Sequence, residues 1–159
     1  MKQDITGLTG ESLEHAELIY RADIQFIDEV DFGIPMQELI SGQRPIPPMG
    51  ARFDQTFKGE LQGPRIHGSI EGTDYLRLRA DGCFQLHLHA RVTTQDGATI
   101  AMASEGVSLQ GEGSLGRLRS TVTLHSADER YGWVNGLQLW ALGVMDPSQG
   151  RAILAAYSV

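Results

Sequence analysis

A series of short strand-like runs, separated by glycine-rich turns, limits what this chain can fold into. Alternating apolar and polar residues recur at even spacing, and the dipeptides Asp81-Gly82 and Asp96-Gly97 each separate two such runs. Asp-Gly in this setting is a strong local signal for a β-hairpin. Helical periodicity is scarce. The pattern predicts an all-β fold of about eight to ten antiparallel strands in a sandwich or barrel. A single closed antiparallel β-barrel is favoured, because closure removes exposed sheet edges.

The strand-like runs begin near Glu14 and continue to the end of the chain. They are 14–27, 51–61, 64–70, 73–79, 84–94, 99–109, 117–126, part of 127–145, and 150–159. One irregular segment, 33–50, interrupts them and holds four of the six prolines. A loop of this length in a compact domain is usually functional or mobile, so it would cover a pocket or cross one end of a barrel. We expect a flexible tail over 1–13 and one barrel domain over 14–159.

Charge and hydropathy exclude several classes of protein. The net charge is −7, and no basic stripe suited to a nucleic-acid backbone is present. The first residues lack the apolar core of a secretory signal, and no apolar run approaches the ~18 residues that span a bilayer. The single cysteine, Cys83, allows no internal disulfide. These features predict a soluble, cytoplasmic protein that binds neither nucleic acid nor membrane.

Three runs differ from the others because they are apolar on both faces. They are "TIAMA" (99–103), "LQLWALGVM" (137–145) and "GRAILAAYSV" (150–159), and the chain offers no spare amphipathic helix to cover them. A strand that is apolar on both faces must be covered on both. We therefore expect a homo-oligomer that packs through the C-terminal strands.

Five short motifs along the chain carry a family resemblance. They are Gly63, Pro64 and Gly68; Gly72, Asp74 and Tyr75; Arg79, Asp81 and Gly82; Thr94, Asp96 and Gly97; and Tyr131, Trp133, Val134 and Asn135. In this order and spacing, from about Glu17 to the C-terminus, the chain resembles the family known as "domain of unknown function 3237". The resemblance implies a calycin-like or allene-oxide-cyclase-like antiparallel β-barrel, and it implies no particular activity.

The chain departs from the family pattern at two places. Tyr75 stands where members more usually carry tryptophan. His87 and His89 stand where members often carry aspartate and arginine. If those positions belong to a shared pocket, the chemistry of this protein differs from that of its relatives.

The run "FQLHLHARVTT" (84–94) alternates cleanly and has two interpretations. Its polar residues Gln85, His87, His89, Arg91 and Thr93 share one face, because residues two apart in a strand point the same way. That face is solvent-exposed if the apolar side fills the barrel, which is usual for a sheet with one wet face. Alternatively, the polar row lines the lumen of a wide barrel and the apolar side packs against a neighbouring subunit.

The second interpretation yields a candidate active site. His87 and His89 would act as an acid/base pair, since the pKa of imidazole lies near neutrality, and Asp74 would orient them or act as the base. The alternative for Asp74 is a turn-capping role. Residues assigned to substrate binding are Arg52, Arg79 and Arg91, as contacts for an anionic oxygen, and Tyr131, Trp133 and Asn135, as hydrogen-bond donors and an aromatic wall. The last three would otherwise form a structural corner.

Three functions from different classes remain open. The first is a small cofactor-independent barrel enzyme that performs isomerase, cyclase, lyase or hydratase chemistry on a hydrophobic or aromatic oxygenated metabolite. The second is a lipocalin-like carrier or sensor without turnover. The third is a mononuclear metalloprotein, in which His87 and His89 bind a metal with His67 or His125 and a carboxylate such as Glu105. No phosphate-binding loop or serine-hydrolase elbow is present.

Overall fold

Eight strands form a closed antiparallel barrel in the computed structural model, which describes residues 16–110 and 115–158. Each strand pairs with its neighbours along the chain, and the last strand closes the barrel by pairing with the first. The predicted fold class is therefore confirmed. The expected tail, 1–13, lies outside the described residues. Within the residues described, no helix is long and apolar enough to cross a membrane.

The strands are nine to fifteen residues long, apart from a last one of eight. They are β1 (Glu17–Asp31), β2 (Ala51–Gln62), β3 (His67–Leu78), β4 (Phe84–Thr94), β5 (Thr99–Gln110), β6 (Gly116–His125), β7 (Gln138–Asp146) and β8 (Arg151–Ser158). One short helix, α1 (Met36–Ile40), follows β1, and a 3₁₀ segment (Glu129–Gly136) precedes β7.

Two runs that the sequence presents as separate strands, 64–70 and 73–79, form the single strand β3. Gly72 is not a turn, because it lies inside the β3–β4 ladder opposite Ala90. A Cβ atom at Gly72 would lie 2.3 Å from the carbonyl oxygen of His89. The glycine thus permits a close approach of β4 to a continuous strand.

Both Asp-Gly hairpins occur as predicted. Gly82 and Gly97 adopt φ angles of 86° and 88°, and in the described chain no residue other than glycine has a positive φ. The amide of Gly82 donates to the carbonyl of Arg79, and that of Gly97 to the carbonyl of Thr94. Each turn therefore places the glycine in the left-handed position after an ordinary turn, the arrangement of a three-residue hairpin loop.

The barrel has one closed end and one open end. At the closed end, the 3₁₀ segment and the turns 63–66 and 95–98 lie beside a large cluster of buried side chains that includes Leu61 and Val134. At the open end, α1 packs through Met36 and Leu39 on a smaller cluster that includes Phe53. These clusters fill the barrel from both ends and leave a cavity between them that reaches the open end.

The outer face of β7 and β8 carries an exposed apolar row. It consists of Trp140, Leu142, Val144 and Ile153. Val144 and Ile153 are direct cross-strand partners, so the row forms one continuous surface. The prediction that these strands pack against a second copy of the chain stays a prediction, and sedimentation of the protein beside a Leu142→Asp variant would test it.

Candidate active site in the barrel lumen

The lumen is a largely apolar cavity that opens between α1 and the turns at the open end. The space free of protein atoms within its outline is about 1210 Å³, a figure that includes open solvent at the mouth. Side chains from all eight strands line it, and Met36 and Ile40 of α1 border its mouth. A cavity with this wall suits an apolar ligand held by a few polar groups.

The structure decides which face of β4 points inward. Phe84, Leu86 and Leu88 line the lumen. His87 and His89 are exposed on the outer surface, and the side chain of His87 retains 51% of its accessible area. The expectation that the polar row lines the lumen is therefore wrong. The catalytic roles assigned to the two histidines lose their geometric basis, because neither imidazole contacts the cavity.

The two histidines instead belong to a polar and aromatic cluster on the outer wall. Their ring centroids are 5.2 Å apart, and the ring of Tyr75 lies 6.3 Å from that of His87. Nδ1 of His87 lies 3.1 Å from a carboxylate oxygen of Glu105 on β5. This pair is solvent-exposed, and such pairs contribute little to stability.

Asp74 is the one ionisable side chain among the described residues that line the lumen. It retains only 4% of its accessible area. Its Oδ1 accepts a hydrogen bond from the backbone N–H of His87 at 2.9 Å. The β3–β4 ladder is interrupted here, between the pairs Asp74–Leu88 and Arg77–Gln85. The carboxylate thus takes a backbone donor that the ladder leaves free, and this contact holds it in place.

Burial changes the acidity of this carboxyl. Removal from water raises the pKa of Asp74 from its ordinary 3.8 to about 6, although the hydrogen bond from His87 and the attraction of that residue act in the opposite direction. A carboxyl with a pKa near neutrality can both accept and return a proton under physiological conditions. The candidate Asp74 therefore lies in the lumen without the histidine partners expected for it.

Gln55 is the polar neighbour of Asp74 and was not among the predicted site residues. The two are cross-strand partners in the β2–β3 register, and both line the cavity. The Gln55 amide nitrogen donates to Glu29 at 2.8 Å. Three buried serines on β5 and β6 also line the cavity and were missed: Ser104, Ser108 and Ser120. A signal existed, because each serine occupies the inward frame of its strand.

The three arginines expected to bind an anionic substrate lie outside the lumen. Arg79 pairs with Asp81 in the β3–β4 turn, and Arg91 pairs with Glu71 on the outer wall. Arg52 contacts Asp54 at 3.0 Å. None of the three lines the cavity, so the structure does not bring them together with Asp74. The described lumen therefore offers no cation to an anionic ligand.

Tyr131, Trp133 and Asn135 lie in the 3₁₀ segment at the closed end, away from the cavity wall. The Tyr131 hydroxyl donates to Asp96 at 2.8 Å. Asn135 donates to the carbonyl of Ser126 and accepts from its N–H, at 2.8 and 2.7 Å. The guanidinium of Arg65 lies 3.8 Å from the ring centroid of Trp133. These contacts favour the structural-corner interpretation over substrate binding.

The ligand set proposed for a metal does not assemble. His67 and His125 are exposed residues near the closed end of β3 and β6, whereas His87 pairs with Glu105. In the part of the chain that the structure describes, no three His, Cys, Asp or Glu side chains are grouped so that they could hold a metal ion. The His-x-His hypothesis thus has no third ligand in this geometry.

The barrel is similar to several solved structures. A β-barrel-like protein from Acinetobacter baumannii AYE superposes with a TM-score of 0.74 at 16% identity, covering 91% of this chain and 94% of that one. A protein of unknown function from Clostridium acetobutylicum ATCC 824 gives 0.75 at 17% identity, covering 91% and 99%. A protein described as an enzyme from Penicillium herquei gives 0.68 at 17% identity, covering 91% and 94%. At these identities the likeness shows the fold alone.

Sequence comparison agrees with the structural likeness. No curated protein matches the chain significantly. The profile of the family described as "Protein of unknown function (DUF3237)" matches residues 29–159, which include all five motifs quoted above. The chain therefore belongs to the DUF3237 family of proteins of unknown function.

Proposed function

We propose that this protein is a small barrel enzyme that binds a hydrophobic or aromatic oxygenated metabolite in its lumen and uses Asp74 to move a proton. The observation that carries the proposal is a single buried carboxyl, with a pKa raised to about 6, that faces an apolar cavity. Strongly perturbed carboxyls in clefts are candidate functional groups, because burying a carboxyl lowers stability and a pKa shifted towards neutrality suits proton transfer.

The chemistry that suits one such group is proton transfer within a single substrate. The Asp74 carboxylate accepts a proton from an acidic C–H or O–H of the ligand and returns it at another atom. An isomerisation or a cyclisation then balances with no net proton change. Elimination of water, or hydration of a double bond, removes or adds only a water molecule. None of these steps moves electrons to or from the substrate, so the proposal calls for no redox cofactor.

The surroundings of Asp74 support this role. The apolar wall keeps the carboxyl out of water, which raises its basicity when it is ionised. The bond from the His87 amide fixes Oδ1, so the second oxygen remains for the ligand among the described contacts. The description of the Penicillium protein as an enzyme is compatible with the proposal, but it identifies no reaction for this chain.

The direct test is Asp74→Asn. Asparagine has nearly the same shape and still accepts the His87 amide, but it cannot take up a proton. We expect turnover, assayed by product formation over a panel of hydroxylated aromatic ketones, to fall about 10²–10⁴-fold while ligand affinity changes little. In the wild type, kcat/KM should rise with pH through about 6, as the carboxylate forms.

The matched controls are His87→Gln and His89→Gln on the outer wall. Both should retain activity, because their imidazoles lie outside the cavity. Undiminished turnover in Asp74→Asn, or abolition of turnover by either histidine variant, would contradict the proposal.

A carrier or sensor is the second candidate, and the apolar, ligand-sized lumen favours it equally. The two functions differ in one outcome. A carrier binds the panel compounds tightly and releases every one unchanged, and Asp74→Asn then has no activity to lose.

A further inference from the structure

Three buried serine hydroxyls face the lumen without a partner among the described residues. Ser104 and Ser108 of β5 and Ser120 of β6 retain 4%, 5% and 9% of their accessible area. All three line the cavity. No hydrogen bond joins their hydroxyls to another group within the described chain, where no polar side-chain atom is both sealed inside protein and unpartnered. The three hydroxyls therefore open onto the cavity itself.

The three side chains form one surface, which we call the serine edge (Ser104, Ser108 and Ser120). Ser120 lies directly opposite Gly106 in the β5–β6 ladder. Ser104 and Ser108 flank Gly106 at two residues on either side, so each is a diagonal neighbour of Ser120 at about 7–8 Å. A Cβ atom at Gly106 would lie 2.6 Å from that of Ser120. The glycine keeps the centre of the edge open.

The serine edge runs from the level of Asp74 towards the mouth. Asp74 pairs with Leu88, and Leu88 pairs with Ser104, so the carboxyl and the first hydroxyl lie in one cross-strand row two strands apart. Ser108 lies four residues farther along β5, towards the open end. At about 3.3 Å per residue, Ser104 and Ser108 are separated by roughly 13 Å. The three serines and Asp74 thus place oxygen atoms along the lumen, and Gln55 lies beside Asp74 on β2.

We propose that the serine edge is a binding site for the hydroxyl, carbonyl or ether oxygens of an uncharged ligand that carries at least two of them along one side. The inference deepens the proposed function, because it rests on the lumen as the ligand site. It does not depend on Asp74 as the proton carrier. A hydroxyl can donate to a carbonyl or exchange hydrogen bonds with another hydroxyl.

We expect an uncharged ligand because the described lumen has no positively charged side chain. Among the described residues, no lysine or arginine lines the lumen, and its one ionisable group is an acid. A carboxylate buried there would lose its hydration without gaining a cation. A neutral oxygenated aromatic compound avoids that cost and satisfies the hydroxyls that have no partner among the described residues.

Three probes of one ring size separate these contributions: 2,7-dihydroxynaphthalene, naphthalene and 2-naphthoate, with binding followed by fluorescence. The wild type should bind the diol more tightly than the other two. A variant carrying Ser104→Ala, Ser108→Ala and Ser120→Ala should bind the diol about tenfold more weakly and naphthalene no more weakly. Ser69→Ala, on the exposed outer face of β3, is the matched control and should leave all three affinities unchanged.

A second measurement needs no ligand. Serines that make structural hydrogen bonds lower stability when replaced, whereas unpartnered buried hydroxyls do not. The melting temperature of the triple variant should equal or exceed that of the wild type. A fall of several degrees, a wild type that does not prefer the diol, or an equal loss for diol and naphthalene would each overturn the serine edge as a ligand site.

Comparing Asp74→Asn with the triple serine variant distinguishes the serine edge as a ligand site from the catalytic role proposed for Asp74. Asp74→Asn should retain diol binding. If that variant loses turnover while the triple serine variant binds the diol normally, the serine edge fails and the proton-transfer proposal stands. The reverse result retains the binding site and removes the catalytic role.

Discussion

The closed end and the open end of the barrel are built from different kinds of side chain. At the closed end, Asn135 bonds both backbone groups of Ser126, and Tyr131 bonds Asp96. At the open end, Met36 and Ile40 of α1 present apolar surface to a cavity. The closed end seals the barrel, and its polar groups form hydrogen bonds within the protein. The open end leaves a cavity that α1 covers only in part.

This difference between the ends explains why the predicted site residues lie in different parts of the barrel. The polar and aromatic residues of the Tyr-x-Trp-Val-Asn motif suit a binding site, yet their hydrogen bonds are made to the protein itself at the closed end. A ligand site needs polar groups that the protein leaves available. In the described lumen those groups include the second oxygen of Asp74 and the serine edge.

The contrast between the two ends predicts that replacing a buried leucine by alanine costs more stability at the closed end than at the open end. Leu61 and Leu39 are both buried, Leu61 in the closed-end cluster and Leu39 on α1 at the open end. Leu61→Ala should lower the free energy of unfolding by about 3–5 kcal/mol, because the cavity it creates lies in the core that all strands share. Leu39→Ala should cost less, about 1–2 kcal/mol, because α1 can detach without opening the barrel.

Urea unfolding measures both losses, and hydrogen exchange locates them. Leu39→Ala should speed exchange at the amides of Ser41 and Gly42, which bond to carbonyls of α1, and leave the strands protected. Equal losses at the two leucines would show that the open end is as integral to the fold as the closed end.

Asp74, which lies between the ends, predicts an unusual dependence of stability on pH. Its pKa is about 6 in the folded chain and 3.8 ordinarily, so the folded state binds the proton more tightly. The contribution of this group to the free energy of unfolding therefore falls as pH rises from about 4 to about 6, by up to about 3 kcal/mol, and then stays constant. Asp74→Asn should be more stable than the wild type at pH 8 and show no such advantage at pH 4.

The quantity to measure is the difference in free energy of unfolding between the wild type and Asp74→Asn. Other carboxyls in the chain change stability with pH in the opposite direction. Hydrogen bonds lower the pKa values of Asp96 and Asp128, and their contributions are lost as pH falls. Those contributions are common to both proteins and cancel. A stability difference that does not change with pH would mean that Asp74 has an ordinary pKa.

A smaller effect is expected at the closed end itself. Asn135→Ala removes the partners of the Ser126 N–H and carbonyl and should lower the free energy of unfolding by about 2 kcal/mol. Binding of 2,7-dihydroxynaphthalene in the lumen should not change. Gln138→Ala, at an exposed position nearby, is the control for stability. Lost binding with unchanged stability would instead restore the substrate-binding role first expected for Asn135.

Local features of the sequence were sufficient to predict most of the strands and both Asp-Gly turns. The Asp-Gly turns depend on the freedom of one glycine, and alternation in β4 depends on neighbours two residues apart. Gly72 misled the strand count, because its role is a contact with β4 that no local pattern contains. The family motifs identified the fold and included Asp74, but they did not distinguish it from structural residues such as Tyr131.

By itself, then, the sequence determined an all-β antiparallel fold in which a barrel was favoured, the two Asp-Gly turns and the existence of two unlike faces along β4. Only the tertiary structure decided which face is inside. A period of two assigns residues to opposite sides of a strand, but closure of the sheet determines which side surrounds the lumen. That closure placed His87 and His89 in solvent and buried Asp74. It also brought serines from β5 and β6 to one wall, where burial raises the pKa of the carboxyl and leaves the hydroxyls for a ligand.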